Sequence, residues 1–135
     1  MTNEPETRPV TTFGRELRRG TLELLLLRLL LDGKKYGYRL ATDLRLRSEG
    51  QLEVKEGTLY PVLYRLEDQG LIAPTWEQRE RGVPRKYYEL TGAGRRRLVE
   101  LSDEWQRFSA MVADILHGGA KEDEDRVKTT EERES

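Results

Sequence analysis

Between Glu56 and Leu90 the apolar pattern changes period, and that change constrains the fold more than any other feature of the chain. Leu59, Val62, Leu63 and Leu66 recur at helical spacing and predict a helix over 56–69 with one buried stripe. Pro61 must then lie near the first turn, where its missing N–H costs little. Gly70 supplies a C-terminal stop. Beyond it the pattern turns extended, with a strand over 71–79, a turn at Arg81-Gly82-Val83-Pro84 and a return strand over 85–90. A short helix followed by a hairpin with arginines at its tip is the layout of a winged helix-turn-helix. In that layout one helix enters the DNA major groove and a charged wing grips the backbone beside it.

The flanking segments fit this frame. A helical pattern runs from about Phe13 to Leu31, with Leu22, Leu25, Leu26, Leu29 and Leu30 on one face and Leu24, Leu27 and Leu31 filling the rest. A helix apolar nearly all round is buried on several sides, and part of it is expected in a subunit interface. Asp32-Gly33 ends it, Lys34 to Gly37 makes a turn, and a second helix follows to Arg47 with Leu40, Leu44 and Ala41 inward. Ser48-Glu49-Gly50 stops that helix, and residues 51–55 read as an extended link or small strand. Thr91 is a candidate N-cap for a final helix to His117, ended by Gly118-Gly119. Within it Leu98, Leu101, Trp105, Phe108, Val112 and Ile115 are spaced 3, 4, 3, 4, 3, an a/d seam. A helix of about 26 residues is about 39 Å long, more than a small core covers, so a two-fold homodimer is expected through this seam. Packing on its own domain is the other reading of the same stripe. The fold class is therefore mainly α with a small β-hairpin wing. The expected organisation is a disordered arm over 1–12, a winged helix-turn-helix DNA-binding domain over 13–91, a C-terminal dimerisation helix over 92–118 and a disordered charged tail over 119–135.

Charge distribution supports a polyanionic partner despite a net charge of −1. Residues 121–135 carry −3 and residues 1–13 carry −1, which leaves +3 for 14–120. Arg79 to Arg97 alone holds seven basic residues against Glu80 and Glu89. A local patch of this kind matters more for phosphate binding than the sum over the chain. Other classes are disfavoured. There is no cysteine and a single histidine, His117, so no metal site, cofactor motif or nucleophile constellation is expected, and the chain is read as not an enzyme. Leu22 to Leu31 is too short to span a bilayer and Arg28 interrupts it. The opening MTNEPETRPVTT lacks the form of a signal peptide, so a cytoplasmic location is expected.

With the stripe of the third helix buried, Thr58, Tyr60, Pro61, Tyr64, Arg65 and Asp68 face outward or flank it. Tyr and Thr hydroxyls reach phosphates or base edges, and Arg65 can bond guanine bidentately or clamp a phosphate. Alternatively Tyr60 packs against the first helix and Arg65 pairs with Glu67 or Asp68. The wing tip adds Arg79, Arg81, Arg85 and Lys86, with Gly82 and Pro84 shaping the turn. Tyr36 and Tyr38 flank Gly37 at the start of the second helix, whose free N–H groups suit a phosphate oxygen, although one of these tyrosines can equally serve the core.

The runs GTLYPVLYRLEDQGLI, VPRKYYELT with GAGRRRL after it, and GTLELLLLRLLLDG with YGYRL resemble the PadR family of bacterial transcriptional regulators over about Arg19 to Leu116. The single C-terminal helix is similar to the family's shorter subclass. The resemblance implies a homodimer, usually repressing, bound to an inverted-repeat operator of double-stranded DNA. It places Tyr38, Thr58, Tyr60, Pro61, Tyr64 and Arg65 at or near the groove and Gly82, Pro84 and Arg85 in the wing. Trp105 falls where some drug-responsive relatives carry a tryptophan that stacks aromatic ligands. A small aromatic or hydrophobic effector would accordingly meet Trp105 and Phe108, unless both are simply interface core. The competing function is a winged-helix protein–protein interaction module that does not bind DNA directly, which Glu56, Glu67, Asp68, Glu77 and Glu80 keep open.

Overall fold

The computed structural model describes residues 9–118, 126–131 and 133. In chain order it contains α1 (Thr12–Leu31), β1 (Lys35–Tyr36), α2 (Gly37–Arg47), α3 (Glu56–Asp68), β2 (Ile72–Glu77), β3 (Arg85–Leu90) and α4 (Gly92–His117). The chain forms two compact units, one up to Val99 and one from Glu100.

In the first unit the leucines close the core. Leu22, Leu26, Leu27, Leu29 and Leu30 of α1 are buried with Leu40 and Leu44 of α2, Leu59, Leu63 and Leu66 of α3, and Leu71, Ile72, Tyr88, Leu90 and Leu98. Each side chain so buried contributes about 1.5–3 kcal/mol by leaving water. Thr11 starts α1 by accepting the Gly14 N–H at 3.0 Å. Arg28 bonds Asp32 at the other end at 2.9 Å, and that guanidinium holds the Asp32 carboxyl below its ordinary range. The first half of α1 leaves Phe13 and Leu17 exposed, so its apolar surface is not consumed by this unit's core.

Three expectations give way to the structure. The segment around Lys35–Tyr36, expected as a turn, is a short strand that pairs antiparallel with β3, Lys35 opposite Tyr88 and Tyr36 opposite Tyr87. The sheet order is thus β1-β3-β2. Residues 51–55, expected as an extended link or small strand, form no strand. Pro61 lies inside α3 rather than in its first turn. Its i−4 carbonyl belongs to Gly57, and both residues are exposed, so water can replace the missing bond.

The junction between α3, the hairpin and α4 is tightly specified. Thr91 donates its hydroxyl to the Gly70 carbonyl at 2.6 Å and accepts the Gly94 N–H at 3.0 Å, so one side chain ties the end of α3 to the start of α4. Gly94 sits against backbone: a Cβ there would fall on the Leu71 carbonyl oxygen and 2.7 Å from Leu90 Cδ1. Gly94→Ala should therefore cost about 1–3 kcal/mol in urea unfolding. Gly20→Ala, where a Cβ meets nothing within 4 Å, should stabilise by up to about 1 kcal/mol.

Candidate nucleic-acid interface

Burial of Leu59, Leu63 and Leu66 sets the rotation of α3 about its axis. Thr58, Pro61, Tyr64, Arg65 and Asp68 consequently point to solvent, and Tyr64 is 51% exposed. Arg65 makes no ion pair among the described residues; the Glu67 carboxylate goes to Lys86 instead. Tyr60 is half-buried over the start of α2. A Cβ added at Gly37 would stand 2.6 Å from the Tyr60 hydroxyl oxygen, so glycine makes room for the ring. Burial raises the Tyr60 phenol above its ordinary range. Tyr38 projects beside this contact, 68% exposed, and no side chain caps the first turn of α2.

The hairpin pairs in register from Ile72–Leu90 to Glu77–Arg85, with Gly82 in the left-handed region at φ +92°. Arg79, Arg81, Gly82 and Pro84 are exposed at the tip. Arg85 and Lys86 lie on the strand itself and point to opposite faces. The Arg85 guanidinium stacks over Tyr36 at 4.0 Å, and Tyr36 meets Tyr87 edge-on at 5.5 Å. Lys34 pairs with Glu77 on β2, and that bond raises the ammonium above its ordinary range. On the other face Lys86 Nζ lies 3.1 Å from Glu67 Oε1 and 5.1 Å, 5.5 Å and 5.9 Å from the rings of Tyr88, Tyr64 and Trp76. Asp43 is buried and holds Lys35 at 2.7 Å and Arg39 at 3.0 Å, which joins α2 to β1.

The second unit holds most of α4, which carries an exposed apolar stripe. Trp105, Phe108 and Ile115 are exposed, whereas Leu101 and Val112 are half-buried. Arg107 and Asp103 pair on its charged side at 3.1 Å. Leu98 is buried in the first unit's own core, so the seam open to another molecule begins at Leu101. Residues 126–131 are helical, while the rest of the tail expected to be disordered, apart from Arg133, lies outside the described residues, as do residues 1–8 of the expected arm.

A sequence profile of the PadR-like family of transcriptional regulators matches residues 26–100. The chain belongs to the PadR-like family. It is 39% identical over 105 residues to a transcriptional regulator of Mycobacterium tuberculosis, an alignment covering 77% of this chain and 91% of that one. A PadR family regulator from Eggerthella lenta superposes with a TM-score of 0.71 at 37% identity, covering 80% of this chain and 92% of that one. A PadR-like regulator from Bacillus cereus gives 0.67 at 33% identity, with 77% and 99% covered. PadR-family proteins are DNA-binding regulators and typically dimerise, and this chain is accordingly a DNA-binding regulator and not an enzyme. No helix among the described residues is long and apolar enough to cross a membrane.

Sequence reasoning did not single out Trp76, Lys34, Arg39 or Tyr87 in this PadR chain. Trp76 shares a strand face with buried Ile72, so alternation alone would turn it inward, and its 64% exposure has no local signal in the sequence. Lys86 differs in kind from the tip arginines. Burial disfavours its charge, but Glu67 and Tyr88 outweigh that and hold it above its ordinary range; burial likewise raises Tyr88. Both groups bind their protons more tightly in the fold than in the unfolded chain, so their contribution is complete below pH 10.0 and is lost as pH rises through the folded values. Lys86→Ala should cost about 1–2 kcal/mol in thermal unfolding without DNA and soften the alkaline decline. Arg81→Ala should cost less than about 0.5 kcal/mol.

Proposed function

We propose that the chain is a homodimeric transcriptional repressor that recognises an inverted-repeat operator. Each subunit places α3 in a major groove, the two about 34 Å apart on one face of the duplex. Thr58, Tyr64 and Arg65 read or clamp the groove; Tyr38, Tyr60 and Pro61 flank it. Arg79 and Arg81 grip phosphates at the tip, with Gly82 and Pro84 shaping the turn. Arg85 and Lys86 brace the wing through Tyr36 and Glu67. The winged helix-turn-helix over 13–91 carries DNA recognition and the helix over 92–118 carries pairing, through Leu101, Trp105, Phe108, Val112 and Ile115. Leu98 anchors that helix to the core of its own subunit. A small aromatic effector binding at Trp105 and Phe108 releases DNA by favouring a pairing of subunits in which the two reading helices no longer match the grooves.

The observation that carries this reading is the pairing of cations in the hairpin. Arg79 and Arg81 have no partner among the described residues, while the lysines nearby are tied to carboxylates. Glu67 and Glu77, which favoured a protein partner, are the carboxylates so neutralised.

A salt titration tests it. Affinity for promoter DNA should fall by orders of magnitude from low to moderate salt, and Arg79→Ala with Arg81→Ala should flatten the log–log slope by about 2 per subunit for every sequence. Tyr64→Ala or Arg65→Ala should instead weaken the cognate site most. If the arginine pair changes sequence preference and leaves the slope intact, the division of labour fails. Trp105→Glu should yield monomers by light scattering; a persisting dimer removes this seam from the interface.

A further inference from the structure

Trp76 is the largest exposed side chain of the hairpin, 64% exposed on the strand face that also carries Lys86 and Tyr88, and none of the contacts proposed above uses it. It stands opposite Lys86 across the strand pair, with its ring 5.9 Å from the ammonium. The same ammonium lies 5.5 Å from the Tyr64 ring, and Tyr64 lies 6.1 Å from Tyr60. Tyr60, Tyr64 and Trp76 therefore form a row of rings from the start of α2, across α3, onto the hairpin. Lys86 is the post between the last two, and Glu67 at 3.1 Å balances its charge. The result is a near-neutral aromatic strip between the outward face of α3 and the arginines of the tip. An indole left this exposed, with one lysine between it and a second half-exposed ring, marks a contact surface rather than ordinary solubilising surface.

We propose that Trp76 is a DNA contact that packs, beside Tyr64, on the deoxyribose edge of the backbone strand lying between the groove that receives α3 and the phosphates held by the wing tip. The inference rests on the DNA-binding reading above. A strand bridging those two elements has to cross whatever joins them, and here that is Tyr64, Lys86 and Trp76. The sugar edge is the apolar part of the backbone, and a flat ring covers it without displacing counterions. This contact is accordingly blind to sequence and insensitive to salt, unlike the arginine contacts at the tip. Lys86 and Glu67 act as positioning residues that hold the two rings at their spacing.

The test compares wild type, Trp76→Ala and Trp76→Phe by fluorescence anisotropy with a labelled promoter duplex and a labelled mixed-sequence duplex across a salt series. Trp76→Ala should weaken both duplexes by about tenfold while leaving the salt slope and the thermal midpoint unchanged. Trp76→Phe should recover most of the affinity. Acrylamide quenching gives an independent readout, because the chain has only two tryptophans. Saturating DNA should shield wild-type emission, and that added shielding should be missing in Trp76→Phe. Trp76→Ala binding both duplexes like wild type, or emission equally quenched with and without bound DNA, overturns the contact. A salt slope that flattens with Trp76→Ala overturns its apolar character. Wild type that binds neither duplex at any salt removes the DNA reading itself, and this contact with it.

Discussion

The burial of three leucines on one side of α3 is the constraint from which the rest of the surface follows. Leu59, Leu63 and Leu66 are almost wholly withdrawn from water. A helix held by such a stripe cannot rotate about its axis without exposing apolar area worth several kcal/mol. Thr58, Pro61, Tyr64 and Arg65 face outward as a consequence, and their common direction needs no contact of its own to maintain it. The polar contacts then adjust an orientation that the core has already chosen.

Those contacts lie mainly at the two ends of α3. At one end Tyr60 covers Gly37, so the starts of α2 and α3 are spaced by the width of a ring. At the other, Thr91 bonds both Gly70 and Gly94, and the missing side chain of Gly94 lets α4 approach the Leu71 carbonyl. The hairpin leaves from between these anchors. Its angle to α3 is set by Lys86 reaching Glu67, while its other face is braced by Arg85 on Tyr36 and by Lys34 on Glu77. Cations in the hairpin thus divide by position: those on the strand fix geometry, and those at the tip remain available.

How much of this is legible in the chain depends on how local the cause is. Helices α1 to α4 follow from apolar period and end signals, because both act within a few residues. Thr91 is recognisable as a cap for the same reason. The strand at Lys35–Tyr36 is invisible because two residues have no period, and its stability comes from Tyr87 and Tyr88, some fifty positions away. Pro61 misleads because exposure, which sequence does not state, decides whether a lost backbone bond can be replaced by water. Lys86 looks like one more wing cation until α3 brings Glu67 beside it. Sequence counts charges well and pairs them poorly, since pairing is a matter of distance in space.

That distinction bears on how a chain of net charge −1 can hold a polyanion. The basic run from Arg79 to Arg97 is rich on paper, yet Lys86 answers Glu67, Arg85 covers Tyr36 and Arg97 has a partner of its own. Arg79 and Arg81 at the tip are by themselves too few to give one subunit strong sequence-independent affinity, since each phosphate neutralised contributes only its share of counterion release. In the proposed dimer a second copy alters this without adding a charge to either chain. Once one reading head is bound, the other binds from an effective local concentration rather than from bulk, which raises affinity by orders of magnitude where the spacing fits. Specificity then comes from the separation of the two heads as much as from any side chain. A sparsely charged surface makes that dependence stronger, because neither head alone can compensate for a poor fit by electrostatics.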